Sequence, residues 1–175
     1  MLAEVITEWS LTPPDEVQIA ALLARCFTTD FGRRSFFQQR HHLRIVTRQN
    51  GQIIGHMGLM LRAVRLDGVL VDVVGLVDVA TDPDHRSKGI AAALLQQAIA
   101  RAKLSPAAHV LLFGRAGLYA GAGFRKAGNM ITYLDLTGAR TRSVHREPAR
   151  ELMVLPLRDQ AWDETAQLDL LGTLF

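Results

Sequence analysis

The sequence predicts an α/β (α+β) protein, with mostly antiparallel strands and helices that flank them. An Asn-Gly pair at 50–51 and an Asp-Gly pair at 67–68 suit two-residue hairpin turns, because such turns need positive φ. They predict a meander of three successive strands. Residues 17–27 and 90–102 place apolar side chains at helical spacing and predict two longer helices. Strand-forming and helical segments therefore follow one another along the whole chain.

The first half of the chain opens with a predicted strand at residues 5–9. A proline-containing break at 12–15 separates this strand from the helix at 17–27. A second, short helix is predicted at 33–40, after a turn-like segment. The meander strands cover residues 43–47, 53–66 and 69–81.

In the second half, the helix at 90–102 is rich in strong helix formers, and small alanines in its first turn allow close approach to a strand or ligand. The basic stretch at 138–150 has few aliphatic residues, which predicts a solvated loop. The other predicted elements are strands at 109–113, 130–136 and 151–157 and a short helix at 115–122.

Length and composition favour an ordinary globular protein. The 175 residues suffice for one domain, 1–175, which would bury roughly 70% of its unfolded surface. Hydrophobic residues make up 49% and charged residues 21%. No apolar run approaches the roughly 20 residues that span a bilayer, and the first residues are acidic where a signal peptide would be basic. We therefore expect a cytoplasmic protein with no membrane partner.

Several site types are disfavoured by the residue counts. One cysteine excludes an internal disulfide, and with six scattered histidines it argues against a structural zinc site, so no metal is expected. Cys26 lies in an apolar helical pattern and is expected to be a buried thiol. The net charge of +3 would help to recruit an anionic cofactor, but it falls short of a nucleic-acid-binding surface.

A short loop at residues 84–89, here called the anion loop, separates the last meander strand from the helix at 90–102. Arg86 and Lys88 supply charge, and Gly89 permits close backbone approach. The helix that follows offers amide hydrogens without partners inside the helix. The loop is thus predicted to bind a phosphate or pyrophosphate, although an ordinary strand-to-helix turn carries similar residues. It has neither the G-x-x-x-x-G-K-[ST] nor the G-x-G-x-x-G pattern.

Two motifs, which follow each other in the expected order along the chain, resemble those of a known family. The strand end at 80–83 and the loop that follows resemble the A-V-x-P strand and the R/Q-x-x-G-x-G/A acyl-CoA loop of the GNAT superfamily of N-acetyltransferases. A later L-Y-x-x-x-G-F pattern is matched at 118–124. The resemblance implies the GNAT fold, with a central mixed, mostly antiparallel sheet, splayed strands and flanking helices. The loop match consists of Arg86, Ser87, Lys88, Gly89, Ile90 and Ala91.

The resemblance also implies acetyl-CoA as the cosubstrate. Its pantetheine arm would pair with the backbone of Val79, Ala80 and Thr81, while amides of residues 86–91 would hold the pyrophosphate. Tyr119 matches the general acid of the family. With reference pKa values of about 8.5 for a thiol and 10 for tyrosine, proton transfer to the thiolate is uphill by only about 2 kcal/mol. The alternative for Tyr119 is core packing against the nearby phenylalanine.

A general base is harder to identify. Many family members carry a glutamate where this chain has Val77, which cannot take a proton. The neighbouring Asp78 should point to the opposite face of a regular strand, so it could serve only if the strand bulges or a water carries the proton. The other candidates are Asp30, Asp72, His56 and the terminal carboxylate of Phe175.

A narrower resemblance concerns the acceptor. The ending of the chain, and the segment CFTTDFG with Asp30, look like the aminoglycoside 2'-N-acetyltransferases, in which the terminus enters the acceptor site. Nodulation N-acyltransferases show scattered agreement near 55–59 and 75–83. Both relatives act on amino sugars, so a small-molecule amine is the expected acceptor, with Asp30 as a candidate substrate-binding residue. The acids of the tail could bind a cationic acceptor or could simply be solvated.

Two other functions stay open at this stage. The missing strand glutamate motivates a non-catalytic acyl-CoA-binding sensor or complex subunit, and a protein or peptide N-acetyltransferase would need an open groove. The position of Phe175 would distinguish a capped pocket, which suits a small acceptor, from an open groove, which suits a peptide. The apolar segment at 168–175 could cap a pocket or pack against a second copy in a homodimer.

Overall fold

A computed structural model describes residues 3–175 of the protein. The chain forms two compact units: the first runs to Met60 and resumes from Leu76 to Ala100, and the second comprises Leu61–Gly75 and Arg101–Phe175. Two long strands and one helix contribute residues to both units, so each unit is described by itself. The assignment of residues 1–175 to one domain stays a prediction.

The first unit is built on an antiparallel meander. Strand β1 (Ala3–Thr7) pairs with β2 (Leu43–Gln49), and β2 pairs with β3 (Gln52–Leu66), so that Ile45 faces Val5 on one side and Met57 on the other. A short 3-10 helix, Glu8–Ser10, follows β1, and a second, Pro83–His85, follows β4 (Val69–Thr81). The elements are β1 (Ala3–Thr7), α1 (Pro13–Cys26), β2 (Leu43–Gln49), the first part of β3 (Gln52–Leu66), the last part of β4 (Val69–Thr81) and most of α2 (Ile90–Lys103).

Helix α1 begins where local chemistry predicts. Thr12 accepts a hydrogen bond from the Asp15 amide, and the Asp15 carboxylate accepts one from the Thr12 amide. The prolines that follow Thr12 occupy the first helical positions, where their missing N–H groups cost nothing. One face of α1 packs into a core made of Ile6, Ile19, Leu22, Leu23, Phe31, Val46, Ile53 and Ala80.

Both predicted hairpin turns are confirmed. Asn50 and Gly51 have φ values of 50° and 79°, and Asp67 and Gly68 have values of 43° and 83°. Positive φ at both central positions is the requirement that selects Asn-Gly and Asp-Gly pairs. The strands that these turns join therefore have the predicted order.

Two predictions in the first unit need correction. The helix predicted at residues 33–40 is wrong, because this segment is irregular. Its backbone is engaged by distant side chains: the Ser35 carbonyl accepts from Arg44 at 2.6 Å, and the Phe37 amide donates to Asp78 at 3.3 Å. The first strand ends at Thr7 instead of Trp9.

The second unit is a mixed, mostly antiparallel sheet. Its strands lie in the order β6-β9-β5-β4-β3-β10-β7-β8. Parallel ladders join β4 to β5 over Val73–Gly75 and join β10 to β7. Strand β9 runs antiparallel to both β5 and β6, and β8 runs antiparallel to β7. The added elements are β5 (His109–Phe113), α3 (Ala116–Ala120), β6 (Arg125–Lys126), β7 (Met130–Leu134), β8 (Val144–Pro148), β9 (Leu152–Pro156) and β10 (Leu168–Asp169).

The basic stretch at 138–150 is only partly a loop, as β8 lies within it and pairs with β7 from Met130↔Pro148 to Leu134↔Val144. Most of β8 is exposed, so the predicted solvation of its charged side chains is correct. The short strands β6 and β10 were not predicted either.

None of the helices within residues 3–175 combines the length and apolar character that a membrane crossing requires. The cytoplasmic location stays a prediction.

Helix α2 packs closely on β3 because position 55 has no side chain. A β-carbon on Gly55 would lie 2.6 Å from Cγ2 of Ile90 and 3.1 Å from Cδ1 of Leu94. Both side chains are buried on α2. The glycine therefore fixes how near the first turns of α2, and the anion loop that precedes them, approach the sheet of the first unit.

Replacement of Gly55 by alanine should destabilise the fold by about 1–3 kcal/mol, because the core must expand around the added methyl group. Chemical unfolding monitored by circular dichroism measures this difference. Gly128→Ala is the matched control, since a β-carbon there has no atom within 4 Å. Equal unfolding free energies for the two variants would contradict this account of the packing.

Candidate functional site

The anion loop has the backbone geometry of an anion cradle. Arg86 is extended with φ −63°, whereas Ser87 and Gly89 have positive φ values of 62° and 77°. Alternation of φ sign turns successive amides toward one point, which forms a concave nest for an anion. Helix α2 begins immediately afterwards, with the Ala93 amide bonded to the Gly89 carbonyl at 3.0 Å, so the amides between them lack partners within the helix. Residues 86–89 are exposed.

Acidic side chains at the base of the loop form ion pairs with an arginine of α1. Arg25 donates to Asp82 at 2.5 Å and to Asp84 at 2.9 Å. The Asp82 carboxylate also accepts from the Asp84 amide at 2.9 Å, and Lys88 donates to the Asp84 carbonyl at 3.2 Å. Arg25 thus compensates part of the negative charge that would otherwise repel an anion on the loop.

The last residues of the strand that leads into the loop are only partly buried. Ala80 is buried, whereas Val79 and Thr81 are half-buried. The Cys26 thiol donates to the Thr81 carbonyl at 3.3 Å, and burial raises the pKa of this thiol. Cys26 is therefore a protonated, packed side chain, as expected from its sequence context, although it is half-buried and not fully buried.

Tyr119 lies in α3 of the second unit. Its ring centroid is 5.8 Å from that of Phe124 in an edge-on arrangement, so the packing anticipated from the sequence is present. Burial also raises the pKa of Tyr119. A raised pKa keeps the hydroxyl protonated at neutral pH, which is the state that a general acid needs.

Asp78 interrupts the regular geometry of β4. Its φ of 49° lies in the left-handed region, so β4 departs from regular strand geometry at the residue for which a bulge was considered. The carboxylate oxygen Oδ2 accepts from Nε2 of His41 at 3.0 Å and from the Phe37 amide at 3.3 Å. The Asp78 carbonyl accepts from Nδ1 of His56 at 2.8 Å. The preceding Val77 is buried and apolar.

His56 is unsuited to act as a general base. Complete burial, together with the charge of Arg44 and the repulsion that a protonated His41 would exert, lowers its pKa from 6.5 to about 3. Its Nδ1 hydrogen is committed to the Asp78 carbonyl, and its Nε2 lies 3.3 Å from Nη1 of Arg44. The imidazole is therefore neutral and structural at physiological pH.

Arg44 is fully buried and forms a two-pronged ion pair with Glu8. Its Nε lies 2.8 Å from Oε2 and its Nη2 lies 2.9 Å from Oε1 of that carboxylate. Burial alone would raise the pKa of Glu8, but the hydrogen bonds and charge of Arg44, together with Arg40, lower it overall. This pair and His41 were not identified from the sequence, because no local pattern connects residues so far apart along the chain.

The other candidate acids have local roles. Asp30 is exposed and accepts a hydrogen bond from the Gly32 amide at 2.7 Å, which shapes the turn after α1. Asp72 is exposed, and its carbonyl accepts from the Ala108 amide. Among residues 3–175 the Asp30 carboxylate therefore shapes its own turn and forms no hydrogen bond with the cluster around Asp78.

Phe175 packs within the second unit. A β-carbon on Gly75 would overlap its ring, so this glycine in β4 makes room for it. The Arg62 guanidinium lies 4.5 Å from the ring centroid and donates to the carbonyls of Thr173 at 3.0 Å and Leu170 at 2.6 Å. Arg62 thus straps the last residues to the sheet of this unit.

Comparison with known proteins identifies the family and the fold of the chain. A family model for the acetyltransferase (GNAT) domain matches residues 10–127. A GNAT family N-acetyltransferase from Escherichia coli, solved with CoA, is similar at 22% identity with a TM-score of 0.63, over 97% of this chain and 88% of that one. A GNAT family acetyltransferase from Brucella melitensis, solved with acetyl-CoA, is similar at 16% identity with a TM-score of 0.61, over 95% and 94%.

A ribosomal-protein-alanine N-acetyltransferase from Escherichia coli is also similar, at 21% identity with a TM-score of 0.61, over 91% of this chain and 97% of that one. No curated protein matches the chain significantly. At these identities the likeness shows the fold alone, and it confirms the predicted fold class. The finer resemblance to aminoglycoside and nodulation enzymes stays a prediction.

The depressed pKa of His56 predicts a specific pH dependence of stability. Unfolded His56 binds a proton near pH 6.5 and folded His56 near pH 3, so the unfolded state holds more protons between these values. The unfolding free energy should therefore fall as the pH decreases through this window, by roughly 2 kcal/mol between pH 7 and 5 from this residue. His56→Asn should flatten the dependence. Parallel curves for wild type and His56→Asn would contradict the assignment.

Proposed function

Because the chain belongs to the GNAT acetyltransferase family, we propose that it binds acetyl-CoA and transfers the acetyl group directly to a primary amine of a small molecule. The observation that carries the proposal is the anion loop, whose alternating φ signs and open helix start suit a pyrophosphate. The CoA and acetyl-CoA of the similar structures support this ligand. In this proposal amides of residues 86–91 hold the pyrophosphate, and the backbone of Val79, Ala80 and Thr81 pairs with the pantetheine arm.

Bound acetyl-CoA would supply an acetyl group activated as a thioester. Asp78 would take one proton from the acceptor ammonium and so free its nitrogen lone pair. As the nitrogen–carbon bond forms and the carbon–sulfur bond breaks, Tyr119 would give its proton to the departing thiolate. Tyr119 would regain a proton from the amide nitrogen, and the proton on Asp78 would leave to solvent. The products are the acetylated amine, CoA and one proton.

In this proposal the acceptor is a small amine. A cationic amino sugar is the acceptor class that the narrower resemblance favours. A protein acceptor is the second candidate, since one of the similar structures is an enzyme for a ribosomal-protein alanine. Parallel assays on an amino-sugar panel and on peptides with a free N-terminal alanine separate the two, and transfer to peptides alone would overturn the small-acceptor proposal.

The loop assignment is tested by two glycines with nearly the same backbone. Gly89 in the anion loop and Gly51 in the hairpin turn have φ values of 77° and 79°, and a β-carbon on either has no atom within 4 Å. Alanine should therefore strain both positions similarly, by about 1 kcal/mol. Only Gly89→Ala should weaken acetyl-CoA binding, by roughly tenfold or more in calorimetric titration, because it disturbs the amide cradle. Equal affinity for the two variants would exclude this loop as the pyrophosphate site.

Tyr119→Phe should leave acetyl-CoA affinity unchanged and lower turnover by on the order of a hundredfold, because the thiolate loses its proton donor. The control is Tyr133→Phe, which removes a hydroxyl that donates to Glu147 at 3.0 Å in β8. Steady-state assays of thiol release with the best amine of the panel provide the measurement. Turnover of Tyr119→Phe equal to that of the control would remove Tyr119 from the mechanism.

A further inference from the structure

We propose that His41 and His56 are positioning residues that clamp Asp78 from two sides and aim its carboxylate at the acceptor amine. This inference rests on the proposed function, in which Asp78 is the general base. It deepens that function by assigning the residues on which the geometry of the base depends. Nothing in the acetyl-CoA half of the site is involved.

The clamp holds two different oxygen atoms of one residue. His41, which precedes β2, donates from Nε2 to Oδ2 of Asp78 at 3.0 Å, and His56, in β3, donates from Nδ1 to the carbonyl at 2.8 Å. The two imidazole rings lie 5.7 Å apart. One histidine therefore fixes the side chain and the other fixes the backbone at the residue where β4 is irregular.

The backbone of Asp78 explains why two restraints are present. A non-glycine residue with φ of 49° inside a strand is strained by roughly 1–2 kcal/mol, and it persists only when its surroundings determine it. The hydrogen bonds from His56 and from the Phe37 amide both depend on this conformation. In return, the conformation turns the carboxylate toward His41, which a regular strand would not do.

The position of His41 is itself built into the sheet. A β-carbon on Gly58 would lie 2.7 Å from Cδ2 of the His41 ring, so β3 leaves a space that the imidazole fills. The His41 side chain is 1% exposed and that of Asp78 is 11% exposed. The carboxylate is thus the member of the pair that a ligand can reach.

The hydrogen bonds specify one protonation state for each ring. His41 carries its proton on Nε2, and its buried Nδ1 has no partner in the described structure. A second proton on Nδ1 would create a buried donor without an acceptor as well as a buried charge, which disfavours the imidazolium form. Burial, together with the Arg44 charge and against the pull of Asp78, lowers the pKa of His41 accordingly.

The charged and titratable groups that face this pair are Asp78 from β4, His56 from β3, Arg44 from β2 and Glu8 from the segment after β1. Arg44 and Glu8 compensate each other in their ion pair. His41 and His56 are neutral, so the Asp78 carboxylate is the uncompensated charge of the cluster. Within residues 3–175 both donors to this carboxylate reach Oδ2, which leaves Oδ1 to receive the acceptor proton.

The test compares two replacements of His41. His41→Phe fills the same space but removes the donor, whereas His41→Gln places an amide N–H near the position of Nε2. We expect His41→Phe to lower kcat by roughly tenfold with the KM for acetyl-CoA unchanged, because the carboxylate loses the donor that aims it. His41→Gln should restore most of kcat.

Several results would overturn the clamp while leaving acetyl transfer intact. An unchanged kcat in His41→Phe would show that Asp78 does not depend on His41. A loss of kcat without rescue by His41→Gln would assign His41 a merely structural role. Failure of the proposed function looks different, because the wild-type protein would then bind acetyl-CoA and transfer to no amine.

Nitrogen NMR tests the clamp without turnover. Wild-type protein should show neutral His41 and His56, with protons on Nε2 and Nδ1 respectively, and Asp78→Asn should shift the His41 Nε2–H resonance. His145 is the internal reference, because it lies outside the cluster and hydrogen-bonds to Ser143 at 2.9 Å. A His41 proton on Nδ1, or a His41 resonance indifferent to Asp78→Asn, would refute the clamp whether or not the protein is active.

Discussion

The burial of Arg44 is the constraint on which the candidate acceptor side of the site depends. A guanidinium has five donors and remains charged at all relevant pH values, so a fully buried one must be paired or hydrogen-bonded throughout. Glu8 takes two of its nitrogens, and the Ser35 carbonyl and His56 share the third. These partners come from three different segments of the chain. By fixing them, the cation fixes His56, and through His56 it fixes the backbone at Asp78.

Features determined by neighbouring residues could be predicted from the sequence. The hairpin turn at Asn50-Gly51 and the capped start of α1 at Thr12 depend on side chains within a few positions. The anion loop belongs to the same class, because Gly89 and the opening of α2 are adjacent in the chain. Long periodic segments likewise gave the correct helices and strands, since burial of one face follows directly from their spacing.

Features determined by distant residues could not be predicted. The segment at 33–40 has helix-compatible residues, yet Arg44 and Asp78 bind its backbone groups and hold it irregular. Strand β8 has no alternating apolar pattern and forms because β7 offers it a ladder. The sequence admits Asp78 to the site only if its strand bulges or a water carries the proton. The two histidines that meet it come from other segments, and no local spacing rule would have joined them to it.

The left-handed backbone at Asp78 also bears on how this fold can change over evolutionary time. Asparagine adopts positive φ about as readily as aspartate, and its amide oxygen can still accept a hydrogen bond from His41. A lineage could therefore exchange the carboxylate for an amide without a folding penalty that selection would remove. The anion loop at residues 84–89 does not include Asp78, so its own residues would be unchanged. If Asp78 is the general base, as proposed, descendants that bind acyl-CoA without using it would be one substitution away, and such a loss of chemistry would leave little trace in the architecture.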